Sequence, residues 1–455
     1  MFRRILVANR GEIALRVIRA CHELDVEAVA VYSTADEDSL HVRAADRAVR
    51  IGPPDPGRSY LFIPSIVAAA LTSRCEAVHP GYGFLAENAD FARACADNDL
   101  VFIGPSAESM LQLGDKSLAK QIMAEAGLPT IPGSKGILSS VAEAATLAGD
   151  IGYPVMLKAS AGGGGRGMRL VADPSQLERS FQAASAEAVA AFDNGGLYLE
   201  KVIVNPHHVE VQIIGDGRGE ILTLGERDCS IQRRHQKVLE ESPSPLLDAS
   251  TRQRLQDQVR IACAAISYAS AGTLEFLADE RRDFYFMEMN TRVQVEHPVT
   301  EMVTGVDIIR EQIQVAAGRP LVGTGSVVPI GHSMEFRINA EDPANGFLPR
   351  AGTIRRLVLP GGPGVRIDTH LYEGYTVPTN YDSLLAKLIV WDRDRPSCIA
   401  RGLRCLQELE IEGLPTTRDL HIDILRHPAF REGRFSTAFL ENARNELPTL
   451  AKATA

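Results

Sequence analysis

The sequence contains no uninterrupted apolar stretch long enough to span a membrane and no block of Lys and Arg residues. The first absence argues against a protein built from membrane-spanning helices. The second, together with a net charge of −10, argues against an extended surface for nucleic acid or anionic membranes. A local anion site is compatible with this charge, because a few Lys and Arg in one cleft barely change the total.

Signals for secretion, disulfides and cysteine-bound metals are also missing. Nothing ahead of the first predicted strand, Ile5–Ala8, resembles a signal or transit peptide. The seven cysteines are odd in number, and no pair has C-x-x-C spacing. This pattern predicts reduced thiols. We therefore expect a cytoplasmic protein.

The length of 455 residues predicts two to four domains. Apolar residues make up 45% of the chain and charged residues 23%, as is typical of a soluble enzyme. Within residues 1–110, Ile5–Ala8 is followed by apolar residues at helical spacing and then by a second predicted strand, Glu27–Tyr32. Alternation of strand and helix signals predicts a parallel sheet with crossover helices.

A helix is predicted from about 116 to 126, with Asp115 as its N-cap. Glycine and proline residues between 127 and 133 then predict a linker into a separate subdomain that extends to about 203. Residues 207–290 are mostly strand-like, and alternation around 209–213 is typical of a half-buried antiparallel strand. Further helices are predicted over 250–270 and 299–317, and further strands over 333–339, 353–359 and 385–391.

A glycine-rich run, Gly162–Gly165, lies between Lys158 and the pair Arg166-Gly167. It satisfies G-x-G-x-x-G, but residues 168–171 are predicted to form a strand where the dinucleotide motif needs a helix. It also lacks the Gly-Lys-Ser/Thr of a Walker A loop. The pattern favours a glycine hairpin whose backbone N–H groups close over phosphates, with Lys158 at its base. The alternative is a flexible surface loop.

A second segment, 286–298, places a polar residue at every even position from Glu288 to Glu296. In an extended chain these side chains would share one face, yet eight steps of about 3.3 Å would span roughly 26 Å. Either the segment bends or its two ends serve different ligands. Oxygens at the Glu288 end suit Mg²⁺, whereas Arg292 and Gln294 suit an oxyanion, with Glu296 free to act as a base. The alternative is an ordinary strand with a solvated face.

Two more features carry charge. The short basic segment 226–237 includes Arg233 and Arg234, for which a solvated charge run is the simpler interpretation. Glu275 is a single acid inside the apolar strand pattern of residues 273–277. Because an unpaired buried carboxylate is costly, we expect a metal or a cation beside Glu275.

These motifs together resemble the biotin carboxylase family of the ATP-grasp superfamily, from Ile5 to about Asn445. The motifs that carry the resemblance are, in chain order, VANRGEIA at 7–14, HPGYGFL at 79–85, the glycine run, RDCS at 227–230, QRRHQK at 232–237 and EMNTRVQVEHP at 288–298. The resemblance implies an α/β and α+β fold. Its parts are a Rossmann-like N-terminal domain over 1–113, an ATP-grasp domain over 114–325 with a mobile glycine-rich lid at about 133–203, a C-terminal mixed α+β domain over 326–446, and a tail over 447–455.

The resemblance also implies roles for individual residues. ATP would be bound by Lys116, Lys158, Gly163, Gly164, Gly165, Met168, Glu200, Lys201, Ile203, His208, Gln232, His235 and Leu277. Metal ions would be bound by Glu275, Glu288 and Asn290, and bicarbonate by Lys237, Arg292, Gln294 and Val295. Tyr82 and Arg337 would lie near biotin, and the catalytic residues would be Glu296, Arg292, Arg337 and Lys237.

The implied reaction consumes ATP and begins at bicarbonate. Glu296 removes the proton of bicarbonate, and the resulting dianion attacks the γ-phosphate of ATP. Carboxyphosphate then breaks down to CO2 and phosphate, and the phosphate takes the N1′ proton of biotin. Arg337 stabilises the resulting enolate, which captures CO2. The implied cofactors are ATP, two Mg²⁺ or Mn²⁺ ions, and biotin as a carrier-bound substrate. Such catalysis is mainly positioning and charge neutralisation.

No Met-Lys-Met biotinylation signature is present, so the resemblance implies a separate biotin carboxyl carrier protein and separate carboxyltransferase subunits. A homodimer is implied by Arg19, Glu23 and Arg366, although Pro363 replaces the Phe that the bacterial type uses at its dimer interface. Ala161 also stands where bacterial fatty-acid enzymes usually have Gly. The expected pathway is acetyl-CoA carboxylation for fatty-acid synthesis, and the sequence does not encode the final acceptor.

Two other functions are weighed against this one. Another ATP-grasp ligase would share the ATP-binding lobes but would not need residues 292–296 together with Arg337. A non-catalytic subunit of a carboxylase would keep the fold and lose catalytic groups, and the sequence retains them all.

Overall fold

A computed structural model describes residues 1–160, 168–192 and 194–451 of the chain. The described residues include no helix that is both long and apolar enough to cross a membrane. The chain forms two compact units. Unit 1 contains Met1–Gly114, His207–Glu275 and Met289–Ala455, and unit 2 contains Asp115–Pro206 and Phe276–Glu288.

The first part of unit 1 alternates strands and helices. Its elements are β1 (Arg4–Val7), α1 (Gly11–Glu23), β2 (Glu27–Ser33), α2 (Leu40–Ala44), β3 (Arg47–Gly52), α3 (Ile63–Thr72), β4 (Ala77–His79), α4 (Ala89–Ala96), β5 (Val101–Phe102) and α5 (Ala107–Gly114). The strands pair in parallel in the order β3-β2-β1-β4-β5. The central strands are continuous apolar runs, as expected where helices cover both faces of a sheet. The predicted parallel sheet is therefore confirmed.

Unit 2 contains a small antiparallel sheet. Its elements are α6 (Lys116–Glu125), α7 (Val141–Ile151), β6 (Val155–Ala159), β7 (Met168–Val171), α8 (Leu177–Phe192) and β8 (Leu197–Lys201). The sheet order is β7-β6-β8, with Lys158 opposite Met168 on one side and Tyr198 on the other. Asp115 accepts hydrogen bonds from two backbone N–H groups at the start of α6, which confirms the predicted N-cap. Residues 161–167, including the glycine run, lie outside the described residues.

The remaining elements begin with a strand-rich segment. They are β9 (His207–Asp216), β10 (Ile221–Arg233), β11 (Gln236–Ser242), α9 (Ala249–Ala265), β12 (Ala269–Ala278), β13 (Phe284–Asn290), α10 (His297–Thr304), α11 (Ile308–Ala316), β14 (Gly325–Ser326) and β15 (His332–Asn339). The chain passes from unit 1 into unit 2 within β12 and returns within β13.

The C-terminal elements complete unit 1. They are β16 (Glu341–Asp342), β17 (Leu348–Pro349), β18 (Gly352–Thr353), β19 (Arg356–Val358), β20 (Val365–Thr369), β21 (Thr376–Val377), β22 (Leu384–Asp392), α12 (Arg395–Glu408), β23 (Glu410–Glu412), α13 (Arg418–Arg426), α14 (Pro428–Arg431), α15 (Phe439–Asn442) and α16 (Pro448–Ala451). The large sheet runs β13-β12-β9-β10-β11-β15-β22-β20, with β14 beside β10. Strands from both halves of the sequence therefore meet at the β11–β15 pair.

The structure differs from the sequence predictions at four places. The helix expected over 250–270 ends at Ala265, and β12 begins at Ala269. The helix expected over 299–317 is two helices, because Gly305 has φ +72° and Asp307 caps a new helix at Arg310 N. The strand expected over 353–359 is two short strands, β18 and β19, which pair with different partners. The extended segment 288–296 remains a strand only to Asn290.

A buried ion pair fixes the loop after β1. Arg10 Nε and Nη2 donate to the two oxygens of Asp36, each at 2.8 Å, and the Tyr60 hydroxyl donates to Asp36 Oδ2 at 2.7 Å. The Arg10 guanidinium also lies 4.2 Å from the ring centre of Tyr381. Burial opposes ionisation of Asp36, but Arg10 and His41 outweigh it and hold the Asp36 pKa below its usual range. This contact joins the N-terminal sheet to the C-terminal part of unit 1.

We expect Asp36→Asn to lower the free energy of unfolding by about 3–5 kcal/mol, because it leaves Arg10 buried without a counter-charge. Equilibrium unfolding in urea measures this change. Asp38→Asn is the matched control, since the Asp38 side chain is 90% exposed, and it should change stability by less than about 0.5 kcal/mol. Equal unfolding midpoints for the two variants would contradict the structural role of the pair.

Candidate active site

The centre of the candidate site is the Lys237 side chain, which lies on β11 and contacts three carboxylates. Its Nζ donates to Glu210 Oε2 at 2.6 Å, Glu275 Oε1 at 2.9 Å and Glu296 Oε1 at 2.6 Å. Burial opposes the charged ammonium, but the three carboxylates outweigh burial and raise the Lys237 pKa well above its usual value. Lys237 is therefore a fixed positive charge.

Glu296 lies at the start of α10, where it is fully buried. Lys237 holds its Oε1, and Arg337 Nη2 donates to its Oε2 at 2.8 Å. Burial would favour the neutral acid, but Lys237, Arg337 and Arg227 outweigh burial and hold the Glu296 pKa well below its usual value. Glu296 can accept a proton readily only after another anion has engaged these cations.

Arg337 lies on β15 and bridges two acids. Its Nε donates to Glu240 Oε1 at 2.6 Å, and its Nη2 donates to Glu296. The Thr417 hydroxyl donates to the backbone carbonyl of Arg337 at 2.8 Å. A small cavity that is open to solvent lies beside Lys237 and Arg337. Its other lining residues are Arg233, Gln236, Val238, Asn339, Glu341, Phe347 and Thr417.

The chain bends between Asn290 and Glu296, which decides between the two interpretations left open by the alternating pattern. Arg292 donates to Asn290 Oδ1 and to Gln294 Oε1, each at 3.1 Å. Gln294 Nε2 donates to Glu275 Oε1 at 3.2 Å. Instead of extending along one face, Asn290 and Gln294 both reach Glu275, as Lys237 does, and Arg292 contacts Asn290 and Gln294.

His208 approaches the second carboxylate oxygen of Glu275, and Gln232 contacts His208. His208 Nε2 lies 3.1 Å from Glu275 Oε2, and Gln232 Nε2 lies 3.1 Å from His208 Nδ1. Burial opposes ionisation of Glu275, but Lys237 and His208 lower its pKa. Asn290 Nδ2 donates to Glu275 Oε1 at 3.0 Å. The cation expected beside Glu275 is thus Lys237, with His208 as a second partner.

The carboxylate groups around Lys237 also fit a hard cation. Ligand atoms of His208, Glu210 and Glu275 all lie within 4.8 Å of one another. Carboxylate and amide oxygens are the ligands that Mg²⁺ takes in proteins, and Glu275 is held in its charged form. Of the three expected metal ligands, Glu275 and Asn290 belong to unit 1, and Glu288 belongs to unit 2.

Unit 2 carries a separate cluster of lysines. Lys158 Nζ lies 2.5 Å from Glu200 Oε2, and Lys120 Nζ contacts Glu200 Oε1. Burial opposes ionisation of Glu200, but Lys158 and Lys120 lower its pKa. Lys116 Nζ lies 2.8 Å from Glu288 Oε2. Sequence analysis did not select Lys120, although its position one helical turn after Lys116 on α6 was a usable signal.

The other residues expected to bind ATP have varied surroundings. Lys201 Nζ donates to the backbone carbonyls of Gly152 and Tyr153, so its side chain supports the chain at the start of β6. Met168 is 37% exposed, whereas Ile203 and Leu277 are half-buried. The remaining members, Gly163, Gly164 and Gly165, lie outside the described residues.

His235 lies at the exposed tip of the hairpin between β10 and β11. Arg234 and His235 both have left-handed backbone, with φ of +48° and +65°. Two residues with positive φ are typical of a type I′ turn, in which Asn and Gly are the usual residues. The neighbouring Arg233 lies 4.1 Å from the ring centre of Phe347 and donates to Gly346 O at 3.0 Å. Arg233 therefore packs against the next loop and is not a freely solvated charge.

Tyr82 is connected to Val295 through two residues that sequence analysis missed, Glu12 and Lys387. Its hydroxyl donates to Glu12 Oε1, and Glu12 Oε2 lies 3.2 Å from Lys387 Nζ. Lys387, fully buried on β22, donates to the backbone carbonyl of Val295 at 3.0 Å. A lysine inside the apolar pattern of β22 was the same kind of signal that identified Glu275.

Arg227 and Glu210 are two further buried groups of the site. Arg227 Nη1 donates to Gln212 Oε1 at 2.7 Å and to Thr300 Oγ1 at 2.9 Å, and Arg227 Nε lies 2.5 Å from Glu210 Oε1. Both charged side chains have no solvent exposure. Arg227 therefore fixes Glu210 from behind while Lys237 contacts its other oxygen.

Three family models match the chain. The biotin carboxylase N-terminal domain matches residues 1–110, the carbamoyl-phosphate synthase L chain ATP-binding domain matches 115–324, and the biotin carboxylase C-terminal domain matches 335–442. The biotin carboxylase of Nostoc sp. is 55% identical over 441 residues, which cover 97% of this chain and 99% of the relative.

Solved structures give the same result. The biotin carboxylase–β-γ-ATP complex of Campylobacter jejuni has a TM-score of 0.92 and 50% identity, covering 97% of this chain and 99% of that chain. The biotin carboxylase domain dimer of the 2-oxoglutarate carboxylase of Hydrogenobacter thermophilus, bound to MgADP, ADP and bicarbonate, has a TM-score of 0.91 and 50% identity, covering 98% of each chain. This chain therefore belongs to the biotin carboxylase family, whose members are ATP-dependent ligases that carboxylate biotin.

Proposed function

We propose that this chain carboxylates biotin on a separate carrier protein, through carboxyphosphate, as the first half-reaction of an acyl-CoA carboxylase. The observation that carries the proposal is the arrangement of Lys237, Glu296 and Arg337. One carboxylate lies between two fixed cations beside an open cavity. An incoming anion can compete with Glu296 for these two cations. As Glu296 loses their charge, its pKa rises and it becomes a better base.

Bicarbonate is the proposed anion, held by Lys237, Arg292, Gln294 and the backbone at Val295. When bicarbonate engages Lys237, Glu296 loses part of its charge stabilisation and its pKa rises. Glu296 then takes the bicarbonate proton, and the resulting dianion attacks the γ-phosphorus of ATP and releases ADP. The carboxyphosphate formed breaks down to CO2 and phosphate beside Arg337.

Biotin is then activated by the released phosphate, which takes the N1′ proton. Arg337 stabilises the negative charge that develops on the ureido oxygen, and the N1′ nitrogen captures CO2. Tyr82 lies on the biotin side in this proposal, and its hydroxyl is fixed by Glu12. Every step relies on placing charges that are already buried and oriented in the protein.

The nucleotide assignments are part of the same proposal. Lys116 and Lys158 bind phosphate, with Gly163, Gly164 and Gly165 closing over it and His235 as a further contact. Met168, Glu200, Lys201, Ile203 and Leu277 surround adenine, and His208 and Gln232 contact the ribose. Glu275, Glu288 and Asn290 would hold two Mg²⁺ or Mn²⁺ ions, which neutralise phosphate charge when bound.

Domain limits, partners and location are also proposed. We assign domains to 1–113, 114–325 and 326–446, with a tail over 447–455 and a cytoplasmic location. The partners would be a biotin carboxyl carrier protein, carboxyltransferase subunits and a second copy of the chain. Arg366 Nη1 donates to Glu301 Oε2 at 2.6 Å within one chain. In a homodimer whose interface includes Arg366, this guanidinium would therefore already have a partner in its own chain.

Acetyl-CoA is the proposed final acceptor, and 2-oxoglutarate is a second candidate. The second candidate is favoured by the Hydrogenobacter thermophilus structure, which belongs to a 2-oxoglutarate carboxylase and is as similar in sequence as the Campylobacter jejuni enzyme. Reconstitution with a carrier and each type of carboxyltransferase separates them, because only the productive pair transfers labelled carboxylate to its acceptor.

The purified protein should cleave ATP only with Mg²⁺ and bicarbonate present, and free biotin should increase the rate. The reason is that Glu296 stays paired with Lys237 and Arg337 until an anion competes for them. ADP release measured with each component omitted in turn tests this expectation. Robust ATP cleavage that is indifferent to bicarbonate would contradict the proposed function.

Glu296→Ala and Arg337→Ala should fail in different ways. Loss of Glu296 removes the base that acts before carboxyphosphate exists, so ADP release and carboxybiotin formation should fall together, by about 10²–10⁴. Loss of Arg337 should reduce carboxybiotin more than bicarbonate-dependent ADP release, because Arg337 acts after carboxyphosphate forms. Parallel measurement of both products on each variant distinguishes these effects.

Arg350→Ala is the control for this pair, since Arg350 is an exposed arginine of the same unit, and it should behave like the wild type. Thermal midpoints show whether each variant is folded. The division of labour is wrong if Glu296→Ala keeps near-normal carboxylation. It is also wrong if Arg337→Ala loses both activities in strict proportion.

The lysines that hold Glu200 give a prediction for unit 2. Lys158→Met should raise the KM for ATP by about tenfold or more, because one charged contact to phosphate contributes about 1.5–3 kcal/mol. Lys135→Met, in the same unit and outside the Glu200 cluster, is the control. Initial-rate kinetics with varied ATP measure the change, and an unchanged KM would remove Lys158 from the nucleotide site.

A further inference from the structure

The Arg337 guanidinium is shared by two fully buried carboxylates. Arg337 Nε donates to Glu240 Oε1 at 2.6 Å, and Arg337 Nη2 donates to Glu296 Oε2 at 2.8 Å. The side chains of Glu240 and Glu296 have no solvent exposure, whereas the Arg337 side chain is 17% exposed and lines the cavity. Glu296 has a proposed chemical role, and Glu240 has none.

Strand register explains why Glu240 faces Arg337. Glu240 on β11 lies opposite Glu335 on β15. Arg337 follows Glu335 by two residues, so both side chains project from the same face of the sheet. Lys387 on β22 lies opposite Arg337 and extends the same face. The face therefore carries two buried acids, the buried Lys387 and the partly exposed Arg337 in adjacent positions.

The hydrogen bonds of Glu240 only partly offset the cost of burying its carboxylate. Its Oε2 is buried without a hydrogen-bond partner among the described residues, and both oxygens of Glu335 are in the same state. A buried ion pair rarely improves stability over apolar packing, because desolvation offsets the Coulomb attraction. Stability alone therefore does not explain an acid in this position, and the Arg337 side chain is the group it contacts.

We propose that Glu240 is a positioning residue that keeps Arg337 oriented toward biotin while Glu296 changes protonation. The inference rests on the proposed function. When the bicarbonate O–H proton moves to a Glu296 oxygen, Glu296 becomes neutral and its charged contact with Arg337 is lost. The Glu240 carboxylate then remains as the charged acceptor for Arg337 Nε. Glu240 forms no bond to substrate, so it acts only through Arg337.

Protonation of Glu240 should give this role a pH dependence. Burial is the largest effect on its pKa, and together with the charge of Glu296 it outweighs Arg337 and Lys237, raising the pKa to about 7. The other charged groups facing this pair are Glu335 on β15 and Lys387 on β22. Because the raised pKa means that Glu240 is charged only at higher pH, the hold on Arg337 should weaken as pH falls through about 7.

The readout is the yield of carboxybiotin per ADP released, with free biotin as substrate. This ratio excludes steps before carboxyphosphate and does not depend on the fraction of enzyme that is folded. Glu240→Gln keeps the shape and an acceptor oxygen but removes the charge. We expect the ratio to fall about tenfold or more at pH 8, as for loss of one charged hydrogen bond. In the wild type, the ratio should fall as pH drops from 8 to 6, whereas in Glu240→Gln it should stay flat.

Two comparisons separate positioning from general damage. Glu335→Gln removes a neighbouring buried acid that has no hydrogen bond to Arg337 and should keep the wild-type ratio. Adding Glu240→Gln to Arg337→Ala should cause no further loss, because residues that act through one contact are not additive.

A wild-type ratio in Glu240→Gln at every pH would overturn the inference. So would a proportional loss of ADP and carboxybiotin, or an equal effect of Glu335→Gln. If Glu240→Gln does not fold, the pH dependence of the wild-type ratio still decides, since a constant ratio from pH 8 to 6 contradicts the inference. Failure of the proposed function is distinguishable, because the wild type would then form no carboxybiotin.

Discussion

The contact of the Lys237 ammonium with Glu210, Glu275 and Glu296 is the interaction on which the candidate site depends. Three carboxylates in one buried place would repel one another and would be costly to desolvate. Lys237 makes the arrangement stable and also defines where an anion could compete. The same contact keeps Glu296 charged and Glu275 suitable for a hard cation.

Antiparallel strands bring this cluster together from distant parts of the chain. Glu210, Lys237 and Glu275 lie on β9, β11 and β12, and Glu296 immediately precedes α10 as its N-cap residue. The large sheet supplies rigid positions for the first three. The bend after Asn290 lets the fourth approach Lys237, so an interrupted strand is a requirement of the site.

Each unit contains cations paired with a buried acid. In unit 2, Lys158 and Lys120 contact Glu200, as Lys237 and Arg337 contact Glu296 in unit 1. In both places the acid keeps the cations ordered within the protein. Charges that are already oriented in this way need little reorganisation when they bind an anion.

The sequence by itself determined the parallel sheet of the first hundred residues, the helix that begins after Asp115, the strand β7 and the family of the chain. These features depend on local periodicity, capping and short motifs, which neighbouring residues specify. It also indicated that Glu275 needs a cation, because one acid in an apolar strand has few alternatives.

Only the tertiary structure decided which cation that is, how segment 288–296 bends, and that Glu210, Glu240 and Lys387 belong to the site. Lys237 and Glu296 are 59 residues apart, and Arg337 and Glu240 are 97 apart. The Arg337–Glu240 pair is set by strand register across the sheet, and the Lys237–Glu296 pair depends also on the bend after Asn290. A register shift of one residue would turn every side chain of a strand to the opposite face, and no local pattern in the sequence records which register is adopted.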